Sequence, residues 1–252
     1  MNIVTINYHP IPFLWYQRQL KINCPASYSE LSSKQFIAIA RLMLGMISEF
    51  RFLCILTGIP GRILRRLSSY ELFKISELAE PFFQNKPYHE FIIKSIANDQ
   101  LLSPKPKLKN VSFGQFIFAD TYFCNFSENK NKDDLNKFIA SLYLPHNTTF
   151  KEKYIEQNFN LVNTVDAPTL QAITINYQLI REWLTLAYPL IFFKSADNPS
   201  KIKQLDSTNW IKVIDALVGD DVVNHDRYAK MPLHNVFRYM STRIKENIKR
   251  KK

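Results

Sequence analysis

The chain has 252 residues, 46% hydrophobic and 13% aromatic, a composition that builds a packed core and excludes a disordered protein. Only 5 Gly are present, fewer than a turn-rich sandwich or barrel uses, so the balance leans toward packed helices. The formal charge of +11 attracts polyanions in general without specifying one.

Ile3, Val4 and Ile6 suit a short strand, and Pro10, Pro12 and Pro25 keep the first 30 residues extended. Ser32-x-x-Gln35 is a candidate capping box. Phe36, Ile39, Ala40, Met43 and Leu44 follow it as one apolar helical stripe, and Gly45 is the stop. A second helix is expected over 48–57, closed by Gly58-Ile59-Pro60. Two shorter helices follow, one around Arg62–Leu67 and one capped by Ser68-x-x-Glu71 that ends before Pro81. Residues 90–96 read as a short strand able to pair with the N-terminal one. Ser103-Pro104-Lys105-Pro106-Lys107 reads as a linker.

Ser112-x-x-Gln115 restarts the helical pattern through Phe126, and Asp133-Asp134 opens the next helix, which Pro145 closes. The Asn- and Thr-rich stretch to Thr164 reads as a loop. Asp166 and Pro168 then open the longest helix, near 169–187. Residues 195–206 read as an exposed loop. The remainder holds one helix with Trp210, Val213, Ile214 and Leu217, stopped by Gly219, and one with Val236, Phe237, Met240 and Ile244. The expected fold is mainly α, an irregular multi-helix bundle. A small β element would be formed from the N-terminal segment and residues near 90–96. The expected division is 1–104 and 110–252, with one continuous domain as the alternative.

Chemistry-bearing motifs are scarce. The five His (9, 89, 146, 225 and 234) are scattered, with no HExxH, and read as surface or capping residues. Thr57-Gly58-Ile59-Pro60-Gly61-Arg62 lacks the GK[ST] ending of a phosphate loop, and no GxSxG occurs. Asp133-Asp134 and Asp220-Asp221 are adjacent acids of the kind that cap helices or face water. Cys24, Cys54 and Cys124 are odd in number and far apart, which suggests neither a disulfide framework nor a zinc clip, and Cys54 reads as a small core residue. The apolar region 36–59 carries Arg41, Glu49 and Arg51, so two soluble helices are expected there rather than a membrane span. No basic-then-apolar leader is visible at the N-terminus. The expectation is a soluble cytoplasmic protein that binds rather than catalyses, with no cofactor and no metal.

Basic residues cluster at Arg62, Arg65 and Arg66, at Lys105, Lys107 and Lys109, and in the tail with Lys249, Arg250, Lys251 and Lys252. Of these, Arg62, Arg65, Arg66 and the tail are the candidate polyanion contacts. Solvated helix ends explain the same charges, and the tail also suits the negative end of a helix dipole.

Four segments carry a family resemblance. Tyr28-Ser29-Glu30-Leu31-Ser32-Ser33-Lys34-Gln35-Phe36 resembles the W-x-E-L-T-x-x-Q start of a group of Bacteroidetes phage-associated proteins. Val111–Asp120 is similar to their L-T-x-G-Q-F-x-x-A-D segment. Ser141-Leu142-Tyr143-Leu144-Pro145 is similar to their L-Y-R-P, with Leu144 in the place of the Arg. Trp210 together with Val236-Phe237-Arg238-Tyr239-Met240 resembles their C-terminal helix pair.

These proteins resemble tail assembly chaperones. The resemblance implies a partner in the bacterial host cytoplasm, a tape-measure or tail-tube protein, that is held before the tail forms. Binding an amphipathic helical client requires an apolar groove. Phe113, Phe116 and Phe123 are the expected exposed contacts. The competing expectations are a nucleic-acid-binding accessory protein that uses the basic tail, and a structural virion or connector subunit.

Overall fold

The computed structural model describes residues 2–10, 16–192, 210, 213–215, 218 and 225–250. Strands β1 (Asn2–Tyr8) and β2 (Arg18–Cys24) form an antiparallel hairpin, with Asn2 opposite Cys24 and Tyr8 opposite Arg18. The partner of β1 is therefore β2, not the segment near 90–96. Leu20, Ile22 and Cys24 alternate with Gln19, Lys21 and Asn23, which gives one face to bury and one for water. Ile6 and Ile22 sit in a satellite cluster with Ile59, Leu64, Leu67 and Ile75 beneath the hairpin.

Helices α1 (Ser33–Met43) and α2 (Glu49–Thr57) form as the sequence specifies. The Ser32 hydroxyl accepts from Gln35 N while Gln35 Oε1 accepts from Ser32 N at 3.0 Å, a complete capping box. Gly58, at φ 72°, supplies the left-handed position that ends α2. Helix α3 (Gly61–Leu64) and helix α4 (Ser69–Glu77, capped by Ser68) follow, with a 3₁₀ turn over Glu80–Phe82.

Residues 90–93 are not a strand. The chain there is satisfied by side chains instead of a ladder: Ile92 N donates to Asn176 Oδ1 (2.7 Å), Asn176 Nδ2 donates to Glu90 O (2.8 Å), and Tyr143 Oη donates to Ile93 O (2.7 Å). Only Ser95–Ile96 (β3) pairs, with Leu101–Leu102 (β4). Nor is the stretch from 103 to 107 a free linker. Pro104 is buried, Leu108 is in the core, and Lys107 N donates to His89 O.

Helices α5 (Phe113–Asn129) and α6 (Lys132–Leu142) pack against each other, and α6 packs on α7 (Lys153–Val162). Helix α7 lies where the sequence reads as a loop. Its polar composition hides the inward positions Ile155, Asn158 and Val162. Asn158 Nδ2 donates to Ala140 O and Tyr143 O, satisfying carbonyls left over at the end of α6. Helix α8 (Ala167–Ala187), opened by the Asp166 cap, packs on α1 and carries a buried face from Leu170 to Leu184.

Trp210, Val213, Ile214, Asp215 and Val218 are helical, in keeping with the reading of that segment. The expected loop at 195–206, Leu217, the Gly219 stop and Asp220-Asp221 lie outside the described residues. Helices α9 (His225–Ala229) and α10 (Leu233–Arg250) close the chain, α9 being one the sequence reading does not contain. The chain is mainly α, with small antiparallel β pairs. One apolar cluster runs from Cys24 and Phe36 through Phe91 and Phe138 to Phe237, so segments on both sides of residues 104–110 share a core. No helix among the described residues is long and apolar enough to cross a membrane.

Candidate functional site

The three aromatics expected as exposed contacts are interior. Phe113, Phe116 and Phe123 are 0%, 1% and 6% exposed. Phe113 and Phe116 meet Trp210 and Phe237 edge-on, with ring centroids 5.1–6.4 Å apart, and Phe123 packs edge-on against Phe138 and Tyr177. Helix α5 is covered on several sides, by α6, α9 and α10, so aromatics around much of its circumference are core.

Behind these rings lies a buried polar cluster. Asp120 is fully buried, and three donors meet its carboxylate. Arg181 Nε approaches Oδ1 at 3.0 Å, Tyr177 Oη donates to Oδ1 at 3.1 Å, and Trp210 Nε1 donates to Oδ2 at 2.9 Å. Arg181 also lies over the Phe123 ring, 5.1 Å from its centre. Burial acts against the Arg181 charge, but neighbouring Asp120, Cys124 and Tyr177 outweigh it and raise the pKa. Burial, reinforced by the Asp120 charge, pushes the Cys124 thiol up to about 12 and the Tyr177 phenol well above its ordinary value. Arg181 thus stays charged and the Tyr177 phenol protonated, as their bonds to Asp120 need. The cluster ties α5, α8 and the Trp210 segment together in the interior.

The resemblance segments are used in the same way. Ser112 caps α5 by accepting from Gln115 N, but the Gln115 side chain does not return to the cap. Its Nε2 donates to Ser141 O (2.9 Å) and Leu142 O (3.3 Å), joining the second segment to the third. Gly114 is closely approached, since a Cβ there would meet Ala229 at 3.1 Å.

The basic candidates remain at the surface and apart in the chain. Arg62, Arg65 and Arg66 are exposed around α3. Arg65 lies over the Phe50 ring, and Arg66 donates to Pro10 O. Lys249 and Arg250 are exposed in the last turn of α10, and Lys251 and Lys252 lie outside the described residues. Among the histidines, His234 accepts or donates at Nδ1 with Tyr188 Oη (2.6 Å), and its ring and that of His89 flank Trp183 edge-on. Among the described residues, no group of three or more His, Cys, Asp or Glu is placed to hold a metal ion.

The feature that sequence periodicity does not reveal is an open apolar groove of about 360 Å³ between the end of α1, α2 and the far end of α4. Its floor and walls are Leu42, Phe52, Leu53 and Ala79, with Phe83 standing edge-on to Phe52 at 5.8 Å. Apolar side chains are exposed on the same elements: Phe83 itself (48%), Met43 (59%) and Leu44 (44%) at the end of α1, Met46 (60%) in the turn after it, and Phe73 (59%) one turn before Ser76 on α4. The polar lining is Glu49, Ser76 and Glu80, so the edge is acidic although the chain as a whole is basic. Met43 and Leu44 belong to the apolar stripe expected for α1. That stripe outruns the core at the helix's C-terminal end, and the excess is a signal present in the sequence.

Comparison with models of known families, with characterised proteins and with solved structures finds no match to this chain.

Proposed function

We propose that this protein is a non-catalytic binding factor of the tail-assembly-chaperone type, holding an amphipathic helical client of the tape-measure kind. The observation that carries the reading is the open groove Leu42/Phe52/Leu53/Ala79/Phe83, with Met43 and Phe73 exposed on α1 and α4, two of the helices that form it, and Met46 exposed in the turn after α1. Large apolar side chains grouped on a surface mark a place where another surface is meant to lie. Burying one such side chain fully is worth about 1.5–3 kcal/mol. Met43 and Met46, exposed at the end of α1 and in the turn after it, are flexible side chains that adapt to different partners, as suits a holder of long helices with varied sequence. Glu49 and Glu80 favour a client whose apolar stripe is flanked by Lys or Arg. The class of client comes from the resemblance of the four segments, the mode of binding from the groove.

The test is co-expression of the chain with a long amphipathic helical protein of the tape-measure kind from the same genome. The proposal expects the two to elute together, and Met43→Asp with Phe73→Asp to weaken the complex at least about tenfold. Both substitutions fall on exposed positions, so the fold is retained. Independent elution of the two proteins, or binding indifferent to both substitutions, overturns the reading.

A further inference from the structure

A second concavity lies away from the groove. Three segments distant in sequence enclose a cleft of about 500 Å³: residues 109–115 at the start of α5, residues 144–151 after α6, and residues 230–232 between α9 and α10. Each segment contributes one lysine, Lys109, Lys151 and Lys230, and no Asp or Glu among the described residues lines the cleft. None of the three ammonium groups is in an ion pair among the described residues, and all three side chains are exposed. Three like charges brought to one concavity without a counter-charge leave a positive potential that an anion would relieve.

The walls are braced while the charged heads are free. Phe113 N donates to Met231 O and Leu233 N to Val111 O, which fixes the 230–232 segment on the start of α5. Leu102 and Leu144 exchange backbone hydrogen bonds, which fixes the third wall. Ser112 and Thr149 place hydroxyls in the lining, and half-buried Phe150, packed on Phe118 at 5.6 Å, supplies one aromatic surface. Lysine suits phosphate as a set of point charges converging from several directions, and hydroxyls add neutral donors. The positive end of the 17-residue helix α5 acts in the same sense.

We infer that this cleft binds a small phosphate-bearing anion with two or more negative charges, held by Lys109, Lys151 and Lys230. The lysines converge on one concavity rather than run along a track, which favours a compact polyphosphate over a nucleic-acid backbone. The site is independent of the apolar groove and of the client proposed for it.

The test is isothermal titration of the full chain with inorganic pyrophosphate and with ATP at low ionic strength, without divalent cations. Wild type is expected to bind pyrophosphate, and Lys109→Ala/Lys151→Ala/Lys230→Ala to weaken it at least about tenfold. Lys245→Ala/Lys249→Ala/Arg250→Ala, in the basic end of α10, is expected to leave pyrophosphate binding unchanged. Tighter binding of ATP than of pyrophosphate assigns a nucleotide, with Phe150 against its base; equal binding assigns free polyphosphate. The inference is overturned if wild type does not bind pyrophosphate, or if the α10 substitutions and not the cleft substitutions abolish it. It is equally overturned if a single-stranded oligonucleotide binds while pyrophosphate neither binds nor competes.

Discussion

The interior around Asp120 and the surface between α1, α2 and α4 treat their side chains in opposite ways. Around Asp120 each oxygen has its donors, and the aromatics beside it are almost wholly enclosed. At the α1–α2 and α4 end, Met43, Met46, Phe73 and Phe83 are each about half exposed or more. The most distinctive residues in the sequence, the Gln115–Asp120 segment and Trp210, are spent inside the fold. The binding role we propose falls to less conspicuous methionines and phenylalanines that the core leaves uncovered. A residue pattern that specifies architecture need not be the one that meets a partner.

If that contrast is right, substitutions in the two regions must separate stability from binding. The largest loss of stability is expected from Asp120→Ala, which leaves the Arg181 guanidinium buried without its carboxylate. Urea unfolding should show a loss of about 3–5 kcal/mol. A loss under about 1 kcal/mol would mean the cluster is not what joins α5 to α8.

Alkaline pH should weaken the interior next. Burial, aided by nearby acidic charge, raises the Cys124 thiol from 9.0 to about 12 and the Cys24 thiol to about 11. Above pH 9 the unfolded chain releases these protons while the folded chain keeps them, so the folded state binds more protons and stability falls. The stability is intact below 9.0 and is lost as pH rises toward about 11–12. The slope is up to about 1.4 kcal/mol per pH unit for each thiol. The buried phenols of Tyr143 and Tyr177 add to the fall at higher pH. Denaturation midpoints from pH 8 to 11 would measure it, in buffers of about equal ionic strength. A flat profile would contradict the burial of the thiols.

Ser32→Ala removes one cap of α1 and should cost about 1 kcal/mol, read as a shift in the same urea midpoint. The smallest effect on stability is expected where the effect on binding is greatest. Phe73→Ser should change stability by no more than about 0.5 kcal/mol while reducing client capture. A large destabilisation by Phe73→Ser would show that the exposed phenylalanine supports the fold rather than a partner.

The fold was legible where local chemistry decides the backbone. The Ser32, Ser68, Ser112 and Asp166 caps, the Gly58 terminus and the apolar stripes of α1 and α8 follow from residue types a few positions apart. Long-range decisions were not legible in this way. The alternation of Leu20, Ile22 and Cys24 marks β2, but the flanking prolines masked it. Residues 90–93 look like a strand until Asn176 and Tyr143, more than 40 positions away, take their backbone groups. Helix α7 was hidden because Asn158 is an inward residue with a polar name.

For the site, hydrophobicity alone could not rank the aromatics. Phe113, Phe116 and Phe123 on a centrally placed helix are core, whereas Phe73 on α4 and Phe83 just after the 3₁₀ turn that follows it are exposed. What separates them is which neighbours the fold supplies, and that depends on tertiary packing rather than on spacing.

The central claim, that the α1–α2/α4 groove receives the helical client, is tested most directly by hydrogen–deuterium exchange of the full chain with and without its co-expressed partner. The claim predicts new protection over residues 42–53 and 73–83, with the already buried α5 and α8 little changed. Protection confined to the end of α10 or to the segments around Lys109, Lys151 and Lys230, with 42–53 and 73–83 unaffected, would contradict it.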